Sequence, residues 1–582
     1  MTGGQEYSFM LARFRFWGIA LVLIAAAALR LWGVRWGLPD STHLFSYHPD
    51  EFHSLRGVLS LATGDLNPHF FNYGSLYLYV VSALCAIAHS SLVFGLDIGA
   101  LPEAIRVFTL DARIVSAAAG VTTVYVVYLI GRRLASERTG LVAAAALAVM
   151  PLHVLNCHYG TVDVTQTLFI ALCLYFTLGI IEGEGIRAWA LAGAMAGLAA
   201  STKYNGILVL IAPVAAGALR PRPYPARCAG APPDTRLRRG PGGERQTANG
   251  DEDGGRDGPR FHLRRVILGA LACFGAALIA FAVTSPYTLL AWAEAKKDII
   301  FELAHMRNGE ADALAVWPNG WLFHLYISAA LLPVAVALAG PVARRRLAPV
   351  LAFGLVWYPM ISMARVRYAR YGLPLDMLGA LALGALCAGD WPVKLRRLQP
   401  LAWTTVGLMV LTWGAISAQR DLELGGPTTQ DSMLAAILAS VPTDRSVGMI
   451  SEPWFDMPPL DYCNGGEALR KNPIWSRFRR PLREIVVTGM DAQRVRDLHP
   501  WAFVLSDVGF FYRRDAGDAG VEEVWRAITS EQPLEDLHRE RRSWLGDSLF
   551  QRPLASDSRY ACPDLRLYAP SLKLGDATGT SR

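Results

Sequence analysis

The sequence predicts an α-helical polytopic membrane protein, with about eleven spans and additional interfacial helices, that carries a small C-terminal soluble α/β domain. Three observations lead to this fold class. Of the 582 residues, 52% are apolar and only 18% are charged, whereas a soluble protein has about 25% charged residues. The apolar residues cluster in stretches long enough to cross a hydrocarbon core, which takes roughly 17–25 residues. After Ala418 the polar content rises and short strand-like runs begin.

The first predicted span begins near Phe14 and follows Arg13 and Arg15. This pattern is typical of an uncleaved signal anchor whose N-terminus lies inside. The other predicted spans are 112–131, 140–158, 164–181, 188–202, 205–219, 266–284, 321–340, 347–363, 371–389 and 400–418.

The segment 75–96 is also apolar, and its placement decides the topology. If it crosses the membrane, the basic loop after the next span falls outside and every later basic loop changes sides. If it lies in the interface, four basic segments fall inside, as the positive-inside rule requires. We adopt this second arrangement, which predicts eleven spans with the N-terminus inside and the C-terminus outside. The four basic segments are 132–138, 220–265, 344–346 and 394–397.

Two regions are therefore predicted, a transmembrane domain over 1–418 and an extracytoplasmic α/β domain over 419–582. Within the first, the segment 220–265 is rich in Pro, Gly and Arg and has no apolar periodicity, which predicts a disordered cytoplasmic loop. Such loops account for the net charge of +7 without nucleic acid as a partner. No zinc-finger spacing or RNA-binding aromatic motif is present in the sequence.

The C-terminal domain is predicted from short apolar runs and two amphipathic patterns. Cys463 and Cys562 are the cysteines expected to face an oxidising compartment, where they would either pair as a disulfide or remain thiols. The predicted strands are 446–451, 483–489, 501–507 and 566–571, and the predicted helices are 429–441 and 519–529.

The predicted topology brings scarce ionisable residues to one side of the membrane. Ionisable groups at a membrane boundary face a water-filled cavity or partners, because facing lipid costs several kcal/mol. Carboxylates suit a general base or a metal, while Lys and Arg suit a phosphate, so the set favours transfer from a lipid-linked phosphate donor. The members are His48, Asp50, Glu51, His53 and Arg56 in the first outside loop, then Asp163, Lys203, Arg365, Arg367 and Arg370.

Structural explanations exist for several of these residues. Asp50 and Asp163 could cap the helices that they precede or open, and Glu51 could interact with a helix dipole. Lys203 could be a boundary lysine that reaches to the interface. A divalent metal could bind His48 and Asp50 together with His53 and His69, although the spacing of these residues matches no fixed ligand pattern.

Several motifs, in this order along residues 10–460, resemble those of the clan C glycosyltransferases, polytopic enzymes that use polyprenyl-phosphate sugars. The clan includes protein O-mannosyltransferases and lipid A aminoarabinose transferases. The family's usual Pro-Pro before the interfacial helix is Gly74-Ser75 here. The matching motifs are YHPDE (47–51), NPHFFNYGSLYLYV (67–80), ARIVSAAAGVTTVYVVYLIGRRL (112–134), AGLAASTKYNGILVLIAP (196–213) and RYARYGLPLDMLGALAL (367–383).

The resemblance implies a role for each matching residue. Asp50 would be the catalytic base with Glu51 as its neighbour, and Asp163 would be a second catalytic acidic residue near the carrier or a metal. The candidates for binding the substrate and the carrier phosphate are Lys203, Arg367, Arg370 and Tyr73. The resemblance also makes 75–96 an interfacial helix, in agreement with the charge pattern.

The predicted function is an inverting glycosyltransferase that moves a hexosyl or pentosyl group from a polyprenyl-phosphate donor to an acceptor glycan, lipid or protein. The reaction would take place at the outer face of a bacterial plasma membrane, with a divalent metal as the one cofactor considered. Two alternatives stay open: a transporter or flippase of lipid-linked glycans, and a C-terminal binding module for which the membrane part is a scaffold.

Overall fold

The fold is known from a computed structural model, and the described residues form a large helical part and a small α/β domain. The predicted polytopic helical fold is confirmed, as is the C-terminal sheet domain. Arg365, Arg367, most of the predicted loop 220–265 and half of the predicted span 321–340 lie outside the described residues. The described residues are 3–219, 259–308, 331–364, 366, 368–450, 455–463, 473–515, 517–530, 534–540 and 562–570.

Six helices in the described part of the chain are long and apolar enough to cross a membrane. Shorter apolar helices cover Trp17–Leu31, Leu76–Ala88 and Tyr204–Leu219, so the total of eleven spans stays a prediction. The six candidate spans are Leu101–Leu134, Val162–Glu182, Leu263–Thr284, Pro341–Met363, Ala369–Ala388 and Arg396–Leu424.

The remaining helices of the membrane part are shorter or lie between these spans. The helix Pro259–Thr284 begins inside the predicted loop 220–265, so the end of that loop is helical rather than disordered. The other helices are Gly3–Leu31, Glu51–Ala62, Leu76–Ala88, Ser90–Phe94, Glu137–Val149, Pro151–Asn156, Ile186–Thr202, Ile211–Leu219, Pro286–Leu290, Trp292–Asn308 and Leu331–Leu338, with 3-10 turns at Tyr204–Leu210, Ala369–Gly372 and Arg396–Leu398.

The apolar segment 75–96 is broken into two helices, Leu76–Ala88 and Ser90–Phe94, separated at His89. At 1.5 Å per residue, a helix of 13 residues reaches only about 20 Å, which is short of the roughly 30 Å of a hydrocarbon core. This break supports the interfacial placement on which the predicted topology depends.

The predicted span 140–158 is also two helices, because the chain bends between Val149 and Pro151. Pro151 has no N–H to donate to the carbonyl of Leu147, as the helical pattern would require. The guanidinium of Arg30 fills this gap. Its nitrogens donate to the carbonyl oxygens of Leu147 at 3.2 Å and Ala148 at 2.9 Å, and one lies 2.9 Å from Nδ1 of His153.

We expect Arg30→Met to destabilise the helical part, because it removes the side-chain donor for the buried carbonyl of Ala148, while the carbonyl of Leu147 keeps the amide of Met150 at 3.4 Å. Leaving a buried acceptor unsatisfied costs about 1–3 kcal/mol, which is the expected loss. Thermal unfolding of the detergent-solubilised protein checks this, with the exposed Arg35→Met as the matched control. Equal melting temperatures for the two variants would show that Arg30 does not hold the bend.

The C-terminal domain contains a five-stranded sheet in the order β2-β1-β3-β5-β4. Strands β1 (Ser446–Met449), β2 (Glu484–Val487) and β3 (Ala502–Ser506) are parallel, while β4 (Leu534–Glu540) and β5 (Leu565–Pro570) extend the sheet in antiparallel fashion. The four strand predictions are confirmed to within a few residues at their ends. The helices of this domain are Thr429–Ser440, Ala492–Leu498, Tyr512–Asp515 and Ala519–Ser530, with turns of 3-10 helix at Trp475–Phe478 and π-helix at Asp507–Phe511.

Candidate active site

The loop before the helix Glu51–Ala62 places Asp50 at the start of that helix. The amide of Glu51 donates to the carbonyl of His48, and the amide of His53 donates to the carbonyl of Asp50. Pro49 suits this entry because its φ is fixed in the extended or helical range. The side chain of Asp50 is 21% exposed, so its carboxylate is held by the local backbone and can still be reached.

Two carboxylates and two cations from four separate segments form one chain of ion pairs. The guanidinium of Arg370 lies 2.8 Å from the carboxylate of Asp50 and 3.7 Å from that of Asp163. The ammonium of Lys203 donates to Asp163 at 2.8 Å. Asp50, Asp163, Lys203 and Arg370, all predicted site residues, therefore meet in the structure. Their formal charges cancel, which offsets the cost of burying each charge.

Aromatic rings enclose the two cations of this cluster. The ammonium of Lys203 lies 5.3 Å from the centre of the Tyr73 ring and 4.4 Å from that of Tyr371. The guanidinium of Arg370 lies 3.9 Å from the centre of the Tyr368 ring. Such cation–π contacts stabilise a desolvated cation. A cavity beside the cluster is lined by Asp50, His53, Phe70, Leu78, Thr161, Val162, Asp163 and the predicted site residue Tyr73.

The charges around Asp50 determine its protonation state. Burial favours the neutral carboxyl, but the charge of Arg370, with smaller contributions from His48, His53 and Lys203, outweighs it and lowers the pKa of Asp50. Burial also lowers the pKa of His48 to about 4. At neutral pH Asp50 is therefore an ionised carboxylate beside an uncharged imidazole.

Glu51 points to a different partner from its neighbour Asp50. Its two carboxylate oxygens accept from Nε and an Nη of Arg113 at 2.7 and 2.8 Å, and one of them also accepts from the amide of Gly160 at 2.7 Å. Arg113 in turn donates to the carbonyls of Val34 and Trp36. Glu51 is 1% exposed and does not line the cavity. This geometry fits a positioning group better than the predicted catalytic one.

The described residues do not fit the metal site predicted at His48 and Asp50. Nδ1 of His48 accepts from the amide of Asp50 at 3.2 Å, and the carboxylate of Asp50 binds Arg370. The ring of His53 stacks on Phe70, while His69 lies between Asp65 and Glu294. Within the described ranges no three His, Cys, Asp or Glu side chains converge in a way that could hold a metal ion.

Gly74, which replaces a proline of the family pattern, is required by close packing beside the site. A Cβ at this position would lie 2.1 Å from the carbonyl oxygen of Ser201, two residues before Lys203. The next residue, Ser75, donates its amide to the hydroxyl of Ser285, which also contacts the hydroxyl of Ser201. This contact fixes the segment of Tyr73 against the segment of Lys203.

The C-terminal domain packs directly on the loop that carries Asp50. The ring of Trp475 lies 5.3 Å from Phe45 and 5.9 Å from Phe52, measured between centroids. The hydroxyl of Tyr47 donates to the carboxylate of Asp431 at 2.6 Å, and the amide of Leu44 donates to the carbonyl of Tyr462. The C-terminal domain therefore contacts the chain both before and after Asp50.

Of the two alternatives for Cys463 and Cys562, both described residues, the structure shows that they do not form a disulfide with each other. The two thiols are buried in different apolar clusters. Cys463 packs near Leu44 and Trp475, whereas Cys562 packs near Trp36 and Tyr47. Each thus contributes separately to the contact between the C-terminal domain and the membrane part.

We expect Trp475→Ala to reduce any activity that depends on Asp50, because the loop loses its aromatic support. Truncating a buried Trp costs about 3–5 kcal/mol of packing. The expected signature is a fall in kcat larger than the rise in KM, with partial recovery in Trp475→Phe. The exposed Trp403→Ala is the control, and identical kinetics for the alanine variants at 475 and 403 would contradict a supporting role.

The fold and the site together define a class: a polytopic membrane protein in which two carboxylates and two cations converge on one buried cluster, with a small α/β domain packed beside it. Residues 105–221 match the family model for dolichyl-phosphate-mannose-protein mannosyltransferase. The resemblance predicted from the sequence motifs is thereby confirmed over this segment, which contains Asp163 and Lys203. A comparison with curated proteins found no match.

The solved structures that match this chain include an oligosaccharyltransferase and ArnT. The oligosaccharyltransferase of Archaeoglobus fulgidus in the apo form is 13% identical with a TM-score of 0.45, and the match covers 84% of this chain and 69% of that one. ArnT from Cupriavidus metallidurans bound to undecaprenyl phosphate is 14% identical with a TM-score of 0.43, and the match covers 94% of this chain and 97% of that one.

Sequence reasoning missed three parts of this site: Arg113, the pair Tyr368 and Tyr371, and Trp475. Arg113 did carry a signal, since a charge inside a predicted span has to find a partner in the protein. The tyrosines flank Arg370 in the sequence, but their contact with cations depends on the turn Ala369–Gly372. Nothing in the sequence around Trp475 indicates which surface it covers.

Proposed function

We propose that this protein is an inverting glycosyltransferase that moves a sugar from a polyprenyl-phosphate donor to an acceptor hydroxyl at the outer face of a bacterial plasma membrane. The observation that carries the proposal is the chain of ion pairs from Asp50 through Arg370 and Asp163 to Lys203. It joins an ionised carboxylate to cations suited to a phosphate. The family model matched by residues 105–221 supports the same class of reaction.

In the proposed reaction, the acceptor oxygen attacks the anomeric carbon from the side opposite the carrier phosphate. Asp50 accepts the proton of that hydroxyl. The bond between the anomeric carbon and the phosphate oxygen breaks, and its electron pair leaves with the polyprenyl phosphate. A lowered pKa makes Asp50 a weak base, so proton transfer accompanies bond cleavage instead of preceding it.

Arg370 connects the two changes of charge in this reaction. When Asp50 takes up a proton, its attraction for the guanidinium of Arg370 weakens, just as the departing phosphate gains a negative charge. Arg370 can then stabilise the phosphate with Lys203. Asp163 holds both cations throughout, since it lies within 3.7 Å of Arg370 and 2.8 Å of Lys203. We assign Glu51, through Arg113, to positioning the start of the helix behind Asp50.

Mass spectrometry of envelope glycans, lipids and glycoproteins from a strain that lacks this protein tests the function. We expect one glycosylated species to lose a hexose or pentose, with recovery when the wild-type gene is restored. A transporter would give a different result, because purified protein in sealed vesicles would move the donor across without releasing polyprenyl phosphate. An unchanged envelope, together with intact donor transport, would overturn the proposal.

A further inference from the structure

The helix Trp292–Asn308, called the surface helix below, separates its charged residues by sign. Its three acidic residues, Glu294, Asp298 and Glu302, follow each other at intervals of four and therefore share one face. Its three Lys and Arg residues, Lys296, Lys297 and Arg307, are exposed. Within the described part of the chain none of these three pairs with a carboxylate. The acidic and the basic side chains of the surface helix therefore face different surroundings.

The acidic face binds the loop that forms one wall of the cavity. The carboxylate of Glu294 lies 2.8 Å from Nδ1 of His69, and that of Asp298 accepts from the amide of Phe71 at 2.9 Å. The carboxylate of Glu302 accepts from the side-chain amide of Asn72 at 3.4 Å. The next residue in this loop is Tyr73, which lines the cavity and contacts Lys203. The surface helix therefore holds the Tyr73 loop in place.

The opposite face combines two of the basic residues, Lys296 and Arg307, with large exposed apolar side chains. Trp292, Ile300 and Leu303 are 55%, 54% and 66% exposed. Along the helix, Trp292, Lys296, Ile300, Leu303 and Arg307 form one stripe, with spacings of three and four residues. Apolar side chains bordered by Lys and Arg are typical of a helix that lies in a membrane surface with anionic headgroups.

The position of the surface helix in the chain also favours a location at the membrane surface. It follows the candidate span Leu263–Thr284 after only the short helix Pro286–Leu290. Leu289 and Leu290 in that connection are 54% and 77% exposed. A helix that begins directly after a span starts at the membrane boundary, and Trp292 at its first position is a residue enriched there.

We infer that the surface helix binds anionic lipid headgroups through Lys296 and Arg307, with Lys297 at the border of the stripe, and that this contact holds the wall of the cavity through the acidic face. The partner is a membrane surface that contains acidic phospholipid. The lipid contact stands independently of the proposed reaction, whereas its effect on sugar transfer rests on the proposed function.

Hydrogen–deuterium exchange of the full chain in lipid nanodiscs tests the lipid contact. We expect residues 292–308 to exchange more slowly when phosphatidylglycerol is added to phosphatidylcholine. The triple variant Lys296→Gln, Lys297→Gln, Arg307→Gln should lose this difference, because each removed charge weakens binding to the anionic surface by about fivefold. The matched control removes three exposed basic residues elsewhere, as Lys394→Gln, Arg396→Gln, Arg397→Gln, and should keep it.

Asp298→Ala tests the connection to the cavity, because it removes the acceptor for the Phe71 amide and leaves the basic stripe unchanged. We expect its exchange to remain sensitive to phosphatidylglycerol, while its transfer rate no longer responds to that lipid. Equal exchange of wild-type protein in both lipids, or a lipid response retained in the triple variant, would overturn the inference. A normal lipid response in a protein that transfers no sugar would instead refute the proposed function.

Discussion

Asp50→Asn is expected to abolish sugar transfer while leaving the fold intact. Asparagine has nearly the same shape, but it cannot accept the proton of the acceptor hydroxyl. Loss of a general base lowers the rate by about 10²–10⁴-fold. The release of polyprenyl phosphate by purified protein measures this, and the thermal unfolding midpoint shows whether the fold is retained.

The control for this variant is Asp444→Asn, which changes a carboxylate of the C-terminal domain that is 74% exposed and lies outside the cluster. It should transfer sugar at the wild-type rate. Full activity of Asp50→Asn would remove Asp50 from the role of base. A loss of activity with a large fall in the unfolding midpoint would place Asp50 among structural residues instead.

Arg113→Met is expected to have the largest effect on stability. It leaves the carboxylate of Glu51 buried without the guanidinium that balances its charge, although the amide of Gly160 still donates to it. Breaking a buried ion pair on one side costs about 3–5 kcal/mol. Chemical or thermal unfolding in detergent measures the loss. The double variant Glu51→Gln, Arg113→Met should be more stable than Arg113→Met alone, because no buried charge remains.

The variant Glu51→Gln separates the two roles considered for this residue. A positioning residue should lose stability and kcat together, since the helix that starts behind Asp50 is loosened. A Glu51→Gln protein that is as stable as wild type but inactive would restore the catalytic role implied by the family resemblance.

The sequence was sufficient to predict the features that depend on local patterns. The candidate spans follow hydropathy, and strands β1, β2, β3 and β5 follow short apolar runs in a polar domain. The meeting of Asp50, Asp163, Lys203 and Arg370 was also predictable, because a consistent topology places all four at one end of the helices. Tyr73 joined this set through the family motif, and its contact with Lys203 agrees with that assignment.

The features that depend on close tertiary contact could not be predicted. The bend at Pro151 needs Arg30 from another helix, and the packing of Gly74 depends on the backbone of Ser201. The metal considered at His48 finds no set of three ligands among the described residues, and Cys463 does not pair with Cys562, for a similar reason. Residue types suggested ligands and partners, but burial and hydrogen bonds assigned these side chains elsewhere.

The surface helix could not be predicted from hydropathy either. Its residues are too polar for a span, so the sequence patterns that defined the spans passed over it. The separation of its acidic and basic residues becomes visible only once the contacts with His69, Phe71 and Asn72 are known.

The anomeric configuration of the product tests the central claim most directly, namely that Asp50 acts as a base in a single displacement. Purified protein would be given a polyprenyl-phosphate sugar of known configuration, and the product would be analysed by nuclear magnetic resonance. Inversion at the anomeric carbon is the predicted result. Retention would contradict the account, because a single displacement from the side opposite the carrier phosphate always inverts the anomeric carbon.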